Sequence, residues 1–201
     1  MIAILGLSCF YHDSAASLII DGEIIAAAQE ERFTRIKHDS NFPYNSINYV
    51  LSEAKLQLDE VSHIVFYEKP FLKFERILET FISEAPLGFN LFRKFMPLWI
   101  KEKLFQKKII LNNLAYINKK KINKNKIFFS EHHLSHASSA FFPSHFNKSL
   151  IITIDGVGEW STTTISIGEG NKITFLKEIN FPHSLGLLYS AFTYYLGFKV
   201  N

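Results

Sequence analysis

Three histidines fall within five residues in SEHHLSHASSAFF, residues 130–142. If this stretch is helical, His132 and His136 stand four apart and share a face, with Cβ atoms about 6 Å apart. That spacing suits two nitrogen ligands on one transition-metal ion. His133 points elsewhere and reads as a surface residue or one standing behind the ligands. Ser130 and Glu131 supply a polar cap and an early acidic residue for the helix start. The alternative reading is an ordinary helical turn with exposed histidines, because two ligands do not make a site. A third ligand stands at Asp155, which ends the apolar run LIITID and opens DGVGEW. Asp-Gly alone is a common turn dipeptide. A carboxylate at a strand end, followed by glycines that let backbone N–H groups approach an anion, is a frequent place for metal and phosphate chemistry. Two imidazoles and one carboxylate with open positions suit Fe(II) or Zn(II).

The rest of the chain must bring these residues together. With 201 residues, 47% hydrophobic and 20% charged, it can bury one sizeable core or two small ones. A net charge of +3 is too slight to argue for nucleic acid. One cysteine, Cys9, excludes a disulfide framework and a cysteine zinc cluster. The apolar start has no basic region, and His12 and Asp13 interrupt it, so it does not read as a signal peptide. No apolar run reaches the ~18 residues of a membrane span. A cytoplasmic protein is expected.

IAILGL reads as a strand, CFYHDSA as a polar turn, and ASLIIDGEIIAAAQEE as a hairpin turning at Asp21-Gly22. ERFTRIKHD reads as a charged loop. PYNSINYVLSEAKL reads as a helix with Ile47, Val50, Leu51 and Ala54 on one face, and SHIVFYE as a buried strand. The pattern then returns. LIITIDGVGEW is a strand and glycine turn, and STTTISIGEGNKITFLKE is a hairpin. The step from Ile4 to Ile19 equals that from Ile152 to Ile167, an offset of 148 residues. Repeated strand–turn–hairpin units predict two related subdomains, each with a phosphate-cradling turn after its first strand. This is the architecture of actin-like ATPases. The expected division is 1–148 and 149–201, with a helical, basic insertion over about 69–126. Amphipathic helices in the insertion are expected to break near Pro86 and at Pro97 and to cover a face of the first unit. The run NKKKINKNK reads as a solvated surface.

Four blocks carry a resemblance to a known family: GLSCFYHDSAASLIIDGEIIAAAQEERFTRIKHD, EHHLSHASSAFFPS, IDGVGEWSTT and SLGLLYSAFTYYLGFKVN. They resemble, in order and over nearly the whole chain, the carbamoyltransferases of the nodulation and antibiotic-tailoring type. Only the basic insertion fits loosely. The resemblance implies an α/β fold of the actin-like ATPase, ribonuclease H-like kind. It implies transfer of a carbamoyl group from carbamoyl phosphate, through an ATP-derived carbamoyl-adenylate, to a hydroxyl of a sugar or natural product. His132, His136 and Asp155 match the family's metal ligands, usually for iron. His12 matches a transfer-site histidine, and Lys37 a lysine that contacts the intermediate. Gly156 and Gly158 match the phosphate-side turn.

Family members continue for several hundred residues beyond the equivalent of YLGFKVN. The second subdomain is therefore expected to be incomplete, and this polypeptide alone to be inactive. Two other readings stand beside the carbamoyltransferase one. The first is a non-catalytic half that pairs with a separately encoded remainder. The second is a fragment of a tRNA threonylcarbamoyladenosine-type enzyme, against which the YHDSAA and EERFTRIKHD blocks argue.

Overall fold

The computed structural model describes residues 1–100, 105–118 and 122–200. In chain order the elements are β1 (Ala3–Ser8), β2 (Ala15–Ile20), β3 (Glu23–Gln29), α1 (Glu31–Thr34), α2 (Tyr44–Glu53), β4 (His63–Phe66), α3 (Pro70–Ser83) and α4 (Phe89–Trp99). They continue with α5 (Gln106–Ile117), β5 (Ile127–Phe129), α6 (His132–Phe141), β6 (Lys148–Ile154), β7 (Ser161–Glu169), β8 (Lys172–Asn180) and α7 (Leu185–Tyr195). The fold is α/β, and the residues divide into two compact units, 1–67 with 100–129, and 68–99 with 130–201.

The first unit carries a five-stranded mixed sheet in the order β3-β2-β1-β4-β5. β1, β2 and β3 pair antiparallel, while β4 and β5 run parallel to β1. This mixed sheet is in keeping with the α/β class expected. Alternation along β1 buries Ala3, Leu5 and Leu7. Leu5 and Leu7 join Leu18, Ile64 and Phe66, the α2 residues Ile47, Val50 and Leu51, and Ile110 and Leu114 of α5 in one core. Asp21 and Gly22, both at positive φ, make the two-residue turn of the β2–β3 hairpin. ERFTRIKHD is not wholly a loop, since its first residues form the single turn α1.

The second unit repeats the opening of this pattern. β6, β7 and β8 form their own antiparallel sheet. Six residues join its first two strands and two join the next pair, as in the first unit. The register is not the same, however. Ile4 faces Ile19, but Ile152 faces Ile165 rather than Ile167. The longer β7 absorbs the difference. α6 lies on this sheet through Ala137 and Phe141, against Ile151. The Phe141 ring sits over Gly168, where a Cβ would come within 2.6 Å of it.

The segment between the repeats departs from the expected insertion. Only α5 packs with the first unit; α3 and α4 belong to the second. The helix α6 also groups with the second unit. α4 continues through Pro97 to Trp99 instead of breaking there. Part of the basic run, 119–121, lies outside the described residues. Lys126 is not a solvated charge, because its Nζ donates to the carbonyls of Asp59 (2.9 Å) and Val61 (2.6 Å).

Candidate metal centre

α6 starts at His132, but not by the local cap expected. Neither Ser130 nor Glu131 caps it with a side chain; the carboxylate of Glu159 does so from the turn after β6. Glu159 Oε2 and Oε1 accept from the His132 N–H at 2.9 and 3.1 Å, and Oε1 also accepts from the Lys69 N–H at 2.7 Å. One buried carboxylate therefore satisfies an orphan donor of α6 and a second donor just before α3. Glu159 belongs to the same turn as Asp155, so it also fixes the spacing between that aspartate and His132.

His132, His136 and Asp155 converge. His132 Nε2 lies 2.7 Å from Asp155 Oδ2 and 3.0 Å from His136 Nε2, and the third side of the triangle is 3.7 Å. A circle through these three atoms has a radius of about 1.9 Å. Imidazole nitrogen and carboxylate oxygen bind Zn(II) at about 2.0–2.2 Å, so one ion placed about 1 Å off the plane reaches all three. The donor set suits Fe(II) or Zn(II) equally well. His132 is largely covered while His136 is half exposed, which leaves one side of the triangle open to solvent. The hydrogen bond from His132, then the nearby His136 imidazole, holds the Asp155 carboxyl well below the usual carboxylate range, against the opposing effect of burial. Asp155 thus stays ionised through the working pH range.

Two further contacts set the end of β6. The Asp155 N–H donates to the Thr162 carbonyl at 2.8 Å. Ser184 caps α7 by accepting from the Leu187 N–H, and its hydroxyl lies 2.7 Å from the Gly156 carbonyl and 3.1 Å from that of Asp155. The two glycines read as a phosphate-side turn have their amides engaged. The Gly156 N–H donates to Asp155 Oδ1 at 2.6 Å and the Gly158 N–H to the Ser161 carbonyl at 3.0 Å. An anion at this turn competes with those acceptors. His133, read as a surface residue or one behind the ligands, is buried, with Nδ1 2.6 Å from Thr153 Oγ1. Burial first, then the neighbouring His132, pushes its pKa down, so it stands neutral at pH 7.

His12 and Lys37 lie in the first unit. His12 is exposed on the β1–β2 connection, and its Nδ1 is 2.8 Å from Asp13 Oδ2. The other oxygen of Asp13 is 2.9 Å from Nδ1 of His38, the residue after Lys37. Backbone bonds from Phe10 to Ser40 and from Ser14 to Asp39 dock the two loops together. The exposed Lys37 is thereby brought to the loop that bears His12. The His38 hydrogen bond, opposed by burial and aided by His12, holds Asp13 below its ordinary range.

Residues 3–201 match the family described as carbamoyltransferase N-terminus. This chain belongs to that carbamoyltransferase family. It is 55% identical over 202 residues to an uncharacterised protein of Synechocystis, sll1178, covering all of this chain and 33% of that protein. It is 35% identical over 189 residues to the nodulation protein NolNO of Sinorhizobium fredii, covering 94% of this chain and 26% of that one. An uncharacterised protein of Methanocaldococcus jannaschii, MJ1051, is 33% identical over 196 residues, covering 98% of this chain and 30% of that one. The chain therefore spans a third or less of the length of these relatives.

In this carbamoyltransferase chain, sequence reasoning missed the groups that hold the candidate residues. Asp13 and His38 sit inside quoted motifs, and their adjacency to His12 and Lys37 was a usable signal. Glu159 gave none, because it acts across a tertiary contact with no fixed spacing. Among the described residues no helix is long and apolar enough to cross a membrane.

Proposed function

We propose that this chain is the metal-bearing amino-terminal part of an O-carbamoyltransferase. It serves transfer of a carbamoyl group from carbamoyl phosphate, through a carbamoyl-adenylate made with ATP, to a hydroxyl of a small-molecule acceptor. The observation that carries the reading is the convergence of His132 Nε2, His136 Nε2 and Asp155 Oδ2 around a point at bonding distance from all three. Family membership over residues 3–201 supports it.

A divalent ion, Fe(II) by preference and Zn(II) as the alternative, supplies Lewis acidity toward a carbonyl or phosphoryl oxygen when bound. Asp155 contributes charge and direction there, since its carboxyl remains ionised and does not relay protons. Asp13 holds His12 through Nδ1, which leaves His12 Nε2 to take the proton of the acceptor hydroxyl. Lys37 offers an ammonium to the phosphate or the developing oxyanion. Gly156 and Gly158 keep the turn free of side chains where the adenylate phosphate approaches.

Anaerobic titration with Fe(II), and separately with Zn(II), tests the centre. One ion per chain is expected. His136→Ala should weaken binding by more than the roughly 10–100-fold typical of changes behind a ligand. A non-hydrolysable carbamoyl-adenylate analogue should bind more tightly with metal than without. Undiminished ion binding by His136→Ala, or analogue binding indifferent to metal, overturns the reading.

A further inference from the structure

His132 offers one ring nitrogen to the triangle and turns the other into the protein. Nδ1 is buried and lies 3.9 Å from Oε2 of Glu68, a residue only 1% exposed just before α3. Oε2 also accepts from Lys73 Nζ at 2.9 Å, while Glu68 Oε1 is buried without a hydrogen-bond partner. At 3.9 Å the carboxylate does not accept a hydrogen bond from the ring. Its charge still favours an N–H on Nδ1, in competition with Asp155, which lies 2.7 Å from Nε2 and favours one there. An ion on Nε2 would leave the neutral ring with its N–H on Nδ1, the side that faces Glu68.

A buried ion pair explains the fold poorly by itself, since apolar residues of similar volume often serve as well. Leaving one carboxylate oxygen unpaired adds a cost. The placement makes sense if the carboxylate acts on the ring beside it. Glu159 meanwhile holds the same residue by its backbone N–H. Arg76, buried nearby, is drawn electrostatically to both glutamates. We propose that Glu68 is a positioning residue for the metal centre, its charge favouring the Nδ1–H form of His132 that ion binding at Nε2 demands. The inference rests on the metal reading above.

Co(II) titration followed by visible absorption, together with ¹⁵N-histidine NMR of the metal-free chain, tests it. Because Glu68→Gln alone can unsettle the fold, the main variant is Glu68→Met/Lys73→Met, which removes both charges and keeps the volume. The double variant should bind Co(II) about 10–100-fold more weakly, with His132 shifted toward the Nε2–H tautomer. Glu68→Gln removes the same charge and leaves that of Lys73 unbalanced, so it should lose at least as much. Co(II) binding and tautomer unchanged in the double variant overturn the inference while leaving the metal reading intact. So does a loss in Glu68→Gln that the double variant restores, since that marks a purely structural ion pair. No Co(II) binding by the unsubstituted chain overturns the metal reading, and this inference with it.

Discussion

Two glycines that look alike in the sequence should differ sharply in their tolerance of a single methyl group. Gly186 is the second residue of α7, and a Cβ at that position comes 2.3 Å from the Asp155 carbonyl oxygen, 2.4 Å from its carbon and 2.7 Å from the Gly156 nitrogen. Ordinary carbon–oxygen contact needs about 3.2 Å or more, so the helix start or the end of β6 must retreat by about 1 Å. Overpacking commonly costs about 1–3 kcal/mol when side chains can yield. Here the obstacle is backbone, so about 3 kcal/mol is the expectation. The ~1 kcal/mol by which alanine exceeds glycine in helix propensity offsets part of it. Gly186→Ala should therefore lose about 2 kcal/mol net. It should also weaken ion binding, because the displaced carbonyl belongs to Asp155 itself. At Gly156 the nearest atom to an added methyl group, Leu187 Cδ2, is 3.8 Å away, and alanine should be tolerated within about 0.5 kcal/mol. Gly158 falls between, with His133 Cδ2 at 2.9 Å, the Ser161 carbonyl oxygen at 3.0 Å and His132 Cδ2 at 3.3 Å. Urea unfolding followed by circular dichroism, paired with metal titration, ranks the three. If Gly186→Ala is as stable as the unsubstituted chain, or Gly156→Ala loses as much as Gly186→Ala, the close approach of α7 to Asp155 is wrong.

Two further outcomes follow from carboxylates of the first unit. The buried Glu30 carboxylate accepts from the N–H groups of Asn45 and Ser46 and from both their side chains at 2.7–3.0 Å, capping α2, whose own N-cap is Pro43. Glu30→Ala should cost about 3 kcal/mol by urea unfolding and Glu30→Gln distinctly less, as expected when a charged acceptor leaves buried donors unpaired; equal losses would show that charge and acceptor count do not matter there. Asp39, which anchors the loop bearing Lys37, has its carboxyl held below the ordinary range by the Asn41 N–H and then by Thr34. A lowered folded pKa gives stability that is present above the unfolded value of about 3.9 and is lost as pH falls through the folded one. Asp39→Asn should lower stability near pH 7 and flatten its decline below about pH 4, and an unchanged acid slope in urea midpoints would refute this.

What the sequence made legible was local chemistry and period. Alternation in IAILGL located β1, Asp21-Gly22 located a hairpin, and the i, i+4 histidines located a helix face. The repeated strand–turn–hairpin pattern was legible because loop lengths of six and two residues survive in both units even where register does not. The shift at Ile152 was not legible, because pairing register depends on strand partners that lie outside any local window. Pro97 misled because a proline costs a helix one backbone bond without always ending it.

The candidate site shows where local reading stops. Its three converging residues could be selected by type, because imidazole and carboxylate chemistry is written in single letters. What holds them in place could not. The cap of α6 is supplied by Glu159 across 27 residues, and the charge behind His132 by Glu68 across 64. α7 meets the site through the missing side chain of Gly186 and the hydroxyl of Ser184. The ligands thus sit on one short helix and one strand end, while the restraints on them come from three other places in the second unit. A substitution at any of those restraints should change ion affinity without touching a ligand. Any variant designed to alter this centre therefore has to be chosen from tertiary contacts as well as from motif letters.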